Sequence, residues 1–134
     1  MSRLSILTVI LGILIISDSH SQIKKTSCRT HEPMLFLDQN EKFEIESTMD
    51  TNGCLYSIRS GGLSGGSSPV LIVIEKTVIM KQPDNGNLKK ETETSYFYEP
   101  RNGFKGKDNF VIYICGHKAN RSGCARWSYN VTVR

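Results

Sequence analysis

Several things are missing from this chain, and each absence removes a class of function. The four cysteines include no Cys-x-x-Cys pair, and His31 and His117 lie far apart. Zinc sites are built from such close pairs, so no metal is expected. No block of like charges occurs, and the net charge is only +4. A solvated surface is the default for such a pattern, with no nucleic-acid partner. Ser60 to Pro69, rich in glycine and serine, lacks the Gly-Lys-Ser/Thr ending and following helix that a phosphate-cradling loop needs. It reads as a flexible surface loop. No nucleophile, base and orienting group fall into a recognisable constellation, so the chain is not expected to be an enzyme or to hold a cofactor. Helical periodicity and internal repeats are absent as well.

The first residues look like an export signal. Met1-Ser2-Arg3 carries one positive charge, Leu4 to Ile16 is almost wholly apolar, and Ser17 to Ser21 is polar with small residues. The apolar run falls short of the roughly 20 residues that span a bilayer. Cleavage near Ser21 is therefore expected, giving a secreted or periplasmic mature chain, residues 22–134, without a membrane span. That length suits one domain. An even number of cysteines in a small exported domain reads as disulfides, and four allow three pairings.

The remainder reads as short strands separated by turns. Phe43 and Ile45 alternate with Glu44 and Glu46, the period of a half-buried strand. Asp50 to Gly53 is a turn, and Cys54, Tyr56 and Ile58 share one face beyond it. Val70 to Met80 is rich in β-branched residues and reads as a long buried strand, breakable at Glu75-Lys76. Pro83-Asp84-Asn85-Gly86-Asn87 predicts a hairpin with a type I′ turn, and Leu88 to Tyr98 the returning strand. Asn109 to Cys115 places Phe110, Ile112 and Ile114 in phase. Arg126 to Arg134 alternates most cleanly, with Trp127, Tyr129, Val131 and Val133 on one side. Many short strands with regular turns and no helix predict an all-β sandwich of about seven strands.

Tyr96 to Tyr113 forms a corner between two strands. Pro100 ends strand hydrogen bonding, and Gly103 and Gly106 allow angles closed to other residues. Phe104 can plug the end of the sandwich, and Asp108 can accept loop N–H bonds. The pattern Pro-x-x-Gly-x-Leu followed by Tyr-x-Tyr-x-Pro-x-x-Gly-Phe-x-Gly-x-Asp-x-Phe is carried by Pro83, Gly86, Leu88, Tyr96, Tyr98, Pro100, Gly103, Phe104, Gly106, Asp108 and Phe110. It resembles the bacterial immunoglobulin-like and cadherin-like domains repeated in surface adhesins. With Gly53-Cys54, Cys115-Gly116 and Gly123-Cys124 it is also similar to small single-domain exported proteins. The resemblance implies an immunoglobulin-like sandwich and does not specify a function. Ile112 stands where the family carries tyrosine.

Cys115 and Cys124 stand at the near ends of two strands, so their pairing would cross a hairpin and clamp residues 116–123. Cys28–Cys54 is then the second bridge, tying an N-terminal arm to an early strand. A loop ordered in advance loses less entropy on binding, which makes His117, Lys118 and Arg121 the candidate contact residues. Phe97, Val111 and Tyr113 fall on the outer phase of their strands, where an arm or loop is expected to cover them. Asn120-Arg121-Ser122 and Asn130-Val131-Thr132 fit the glycosylation tripeptide. The function expected is a monomeric, non-catalytic binding or envelope-associated module contacting protein or glycan. A secreted enzyme inhibitor is the alternative, followed by a small hydrolase.

Overall fold

A computed structural model describes residues 26–30, 40–58 and 72–134. The export signal, His31 and the glycine-rich stretch lie outside the described residues. Among the described residues eight strands follow in order: β1 (Arg29–Thr30), β2 (Glu41–Met49), β3 (Cys54–Ser57), β4 (Ile72–Lys81), β5 (Gly86–Thr92), β6 (Ser95–Pro100), β7 (Gly106–Lys118) and β8 (Arg121–Val133). No helix occurs among the described residues. The strands form a five-stranded sheet, β1-β2-β8-β7-β4, and a three-stranded sheet, β3-β6-β5. Together they make a disulfide-stabilised β-sandwich.

The alternation of β8 puts it at the centre. It pairs in parallel with β2 and antiparallel with β7. Its inward residues Trp127, Tyr129, Val131 and Val133 are buried, as are Phe110, Ile112 and Ile114 of β7 and Tyr56 and Tyr98 of the opposite sheet. Tyr56 meets Phe110 and Tyr129 edge-on, with centroids 5.2 and 4.9 Å apart, and Phe110 stacks on Tyr129 at 4.7 Å. Edge and offset contacts of this kind are the favoured aromatic geometries.

Three expectations from the sequence need correction. Pro83 to Asn87 does turn the chain, but it joins β4 to β5, which belong to different sheets. Gly86 is not among the residues with positive φ, so this is not a type I′ turn. Glycine serves close approach here: a Cβ would lie 2.6 Å from the Glu99 carbonyl oxygen. The Gln82 side chain spans the gap, accepting from the Leu88 N–H and donating to its carbonyl, both at 3.2 Å.

Leu88 to Tyr98 is also not one strand. It folds into the β5–β6 hairpin, turned where the Thr92 hydroxyl bonds Ser95 and accepts from the Thr94 N–H. Such hydroxyl turns carry no glycine or proline to announce them.

β4 is an edge strand rather than a buried one, with Val73, Val78 and Met80 exposed. The irregularity anticipated at Glu75-Lys76 is present as a register shift against β7. The edge is sealed at Thr77. Its N–H donates to Glu93 Oε2 (3.2 Å), its hydroxyl to the Glu93 carbonyl (2.7 Å), and Lys90 Nζ donates to its carbonyl (2.9 Å). Exposed edges invite pairing with other chains, and charged side chains of this kind block it.

Candidate functional site

Both expected disulfides are present, Cys28–Cys54 and Cys115–Cys124, with Cα atoms 5.0 and 4.1 Å apart. Cys28 belongs to an arm that changes sheets. The Cys28 N–H donates to the Leu55 carbonyl and the Leu55 N–H to the Thr26 carbonyl, while Arg29 and Thr30 pair with β2. The bridge fixes this switch.

Cys115 and Cys124 are directly opposed across β7 and β8. The clamped stretch is not an eight-residue loop. Both strands run on beyond the bridge, to Lys118 and from Arg121, leaving Ala119 and Asn120 as the turn. Ala119 takes a φ of 50°, which two-residue hairpin turns require of their first central residue. Gly-His-Lys hides the strand in the sequence because none of these residues favours one. Gly116 is demanded by packing: a Cβ there would sit 2.1 Å from the Val73 carbonyl oxygen.

The hairpin brings two of the three candidate residues together. Lys118 and Arg121 are paired across the turn, so they share one face, and with Ala119 and Asn120 they line a hollow of about 400 Å³. Neither has an ion-pair partner among the described residues. His117 pairs with Ser122 and points to the other face, where its Nδ1 lies 2.7 Å from Glu75 Oε1. Glu75 occupies the β4 irregularity, which aims its carboxylate at the imidazole. His117 is thus engaged by Glu75 on the outer face, whereas Lys118, half-buried, and Arg121, exposed, lie at the tip in phase with Ile114 and Ala125.

At the corner, at the opposite end, the Asp108 carboxylate is fully engaged. Asp108 Oδ1 accepts from the Asp84 and Asn109 N–H groups, and Oδ2 from the Asn85 N–H and the Tyr98 hydroxyl, all at 2.9 Å. The sequence suggested a turn-fixing role for Asp108; its main partners belong to the distant β4–β5 crossing. Arg101 ties the same two loops, through its N–H to the Asn85 carbonyl and its guanidinium to the Asp84 carbonyl. Pro100 closes β6 opposite Gly86. Gly103 and Gly106 have φ of 75° and 141°, and Phe104 packs on the core from its rim. Burial, reinforced by the Asp108 hydrogen bond, raises the Tyr98 phenol pKa. Burial alone pushes Tyr56 up to about 12, against the opposing Ser47 bond.

Asn40 carries contacts that no local sequence pattern announces. It has a φ of 62°, accepts from the Tyr113 hydroxyl through Oδ1, and accepts from the Arg126 guanidinium through its carbonyl at 3.0 Å. Val111 and Tyr113 are half-buried on the outer face of the large sheet, and Phe97 is half-buried on the small one.

The fold and this geometry define a disulfide-stabilised β-sandwich with a clamped cationic hairpin at one end. No protein-family model matches the chain, and no curated protein matches it. The disulfides suit an oxidising, exported environment, and no helix among the described residues is long and apolar enough to cross a membrane.

Proposed function

We propose that the protein is an exported, non-catalytic binding module of the immunoglobulin-like class. It acts outside the cytoplasm after cleavage near Ser21 and contacts an acidic patch on an extracellular or envelope protein or glycan through the β7–β8 tip. The observation that carries this reading is the pairing of Lys118 with Arg121 beyond the Cys115–Cys124 bridge. Two cations are held side by side, neither neutralised within the described residues, on backbone that a covalent bond has already ordered. Fixing a loop in advance reduces the entropy lost on binding.

The test is capture from envelope extract and culture fluid by the oxidised mature protein, beside a Lys118→Glu/Arg121→Glu variant. A partner held by the wild type and lost by the variant is expected. A partner held equally by both would remove the tip from the function. A single enzyme captured with one-to-one stoichiometry and lost activity would instead favour the inhibitor reading, with the clamped hairpin as its wedge.

A further inference from the structure

At the end of the large sheet remote from the hairpin tip, four side chains fall in one register row. Arg29 of β1 pairs with Thr48 of β2, Thr48 with Thr132 of β8, and Thr132 with Lys107 of β7. Side chains paired across neighbouring strands lie on one face, so all four project from the outer side. With strands about 4.8 Å apart, the row is about 14 Å from Arg29 to Lys107. It has a cation at each end and hydroxyls between.

Two hollows flank the row. Arg29 and Thr48 line one of about 480 Å³ with Ser27 and Arg134. Thr132 and Lys107 line another of about 420 Å³ with Glu46 and Asn130. Several other cations on this face have internal partners. Lys42 pairs with Glu44, Lys81 bonds Asp84 and Asn109, and Arg126 bonds the Asn40 carbonyl. The charged heads of Arg29 and Lys107 have none among the described residues, and both residues are exposed.

The next row inward is already organised. Asn130 Nδ2 donates to Glu44 at 3.1 Å and Glu46 at 2.9 Å, and its Oδ1 accepts from Asn109 at 3.0 Å. Polar groups held in place beforehand lose little freedom when a ligand arrives.

We propose that this row binds an acidic oligosaccharide. Its carboxylates or sulfates meet Arg29 and Lys107, and its ring hydroxyls exchange hydrogen bonds with Thr48, Thr132 and the Glu46–Asn130–Asn109 row. Guanidinium and ammonium groups give the strongest hydrogen bonds to such anions. A peptide fits less well, because the row between the two cations carries hydroxyls and no apolar side chain. Single-stranded nucleic acid needs stacking aromatics, and the tyrosine of this face, Tyr113, lies three rows away in the β7 register. The surface is separate from the hairpin tip, so the two readings stand or fall independently.

The test is calorimetric titration of the oxidised mature protein with a uronate hexasaccharide, a sulfated hexasaccharide and a neutral one of equal length. Binding of either acidic sugar but not the neutral one is expected, and the two acidic arms identify the anion. Arg29→Gln/Lys107→Gln should weaken binding by at least about tenfold, whereas Lys76→Gln/Lys89→Gln, of equal charge, should stay within about twofold. Thr48→Val/Thr132→Val, which keeps every charge, should also weaken it. Failure of both acidic sugars to bind, or equal losses in the two charge variants, would overturn the proposal. So would wild-type affinity in the threonine variant, because the hydroxyls would then play no part.

Discussion

The two ends of the sandwich each hold a chain reversal in place, and they do so by different chemistry. At the corner, one buried carboxylate gathers three backbone N–H groups and a phenol from separate parts of the chain. At the hairpin, a covalent bond joins two opposed residues of a single β-ladder. The carboxylate solution consumes the polar groups that meet at the crossing, and the unpaired cations of that end, Arg29 and Lys107, lie on the outer face of the large sheet instead. The disulfide constrains the backbone without using any other side chain, and Lys118 and Arg121 keep no ion-pair partner among the described residues. The engaged crossing is architecture. The hairpin tip, whose cations have no ion-pair partner among the described residues, is where contact is proposed.

Removing the carboxylate should have the largest effect. Asp108→Ala leaves two distant backbone N–H groups and the Tyr98 hydroxyl without their acceptor, at a cost of roughly 3–5 kcal/mol. Urea unfolding followed by the fluorescence of Trp127, the single tryptophan, would measure it. Tyr98→Phe should cost only about 1–2 kcal/mol, because the backbone bonds survive. Equal losses in the two variants would mean that the phenol, not the loop crossing, holds the corner.

Cys115→Ser/Cys124→Ser should come next, at about 2–3 kcal/mol by loop closure. Its signature is regional: amide exchange should quicken at residues 117–122 and stay unchanged at 84, 85 and 109. Faster exchange at both ends would show that they are not independent.

The third effect is silent at neutral pH. Burial holds the Tyr56 pKa near 12 and raises those of Tyr98 and Tyr96. A phenol with a raised folded pKa stabilises the fold fully below its usual pKa near 10. That contribution is lost as pH climbs from there toward the folded value. Alkali should therefore unfold the protein, with tyrosinate absorbance and Trp127 fluorescence changing together. Ionisation of these phenols without loss of the fluorescence signal would show that they are accessible in the folded state.

What could be read from the sequence tracks how local the signal is. The inward faces of β8 and β7 were visible because Trp127, Tyr129, Val131 and Val133, and Phe110, Ile112 and Ile114, alternate strictly. Cys115–Cys124 followed from two neighbouring strand ends, and Cys28–Cys54 as the pair then left. Asn85-Gly86 announced a turn, but a turn does not say whether the next strand joins the same sheet. The decisive information there is the reach of Asp108 to Asp84 and Asn85, more than twenty positions away. The extent of the hairpin was hidden because Gly116 was selected by the Val73 carbonyl oxygen of another strand, not by any local preference. The Arg29–Thr48–Thr132–Lys107 row had no sequence signature, since its members come from four strands.

The Cys28–Cys54 bridge also alters how the molecule would bear tension. β2 and β8 are parallel neighbours, from Glu41 beside Ala125 to Met49 beside Val133. A pull drawing the chain apart at Thr26 and Arg134 would, with the bridge reduced, load those rungs together in shear. With the bridge closed, force passes from Cys28 directly to Cys54, and the intervening segment with β2 drops out of the load path. Oxidation thus leaves β2 slack, docked along β8 while its neighbours carry the strain.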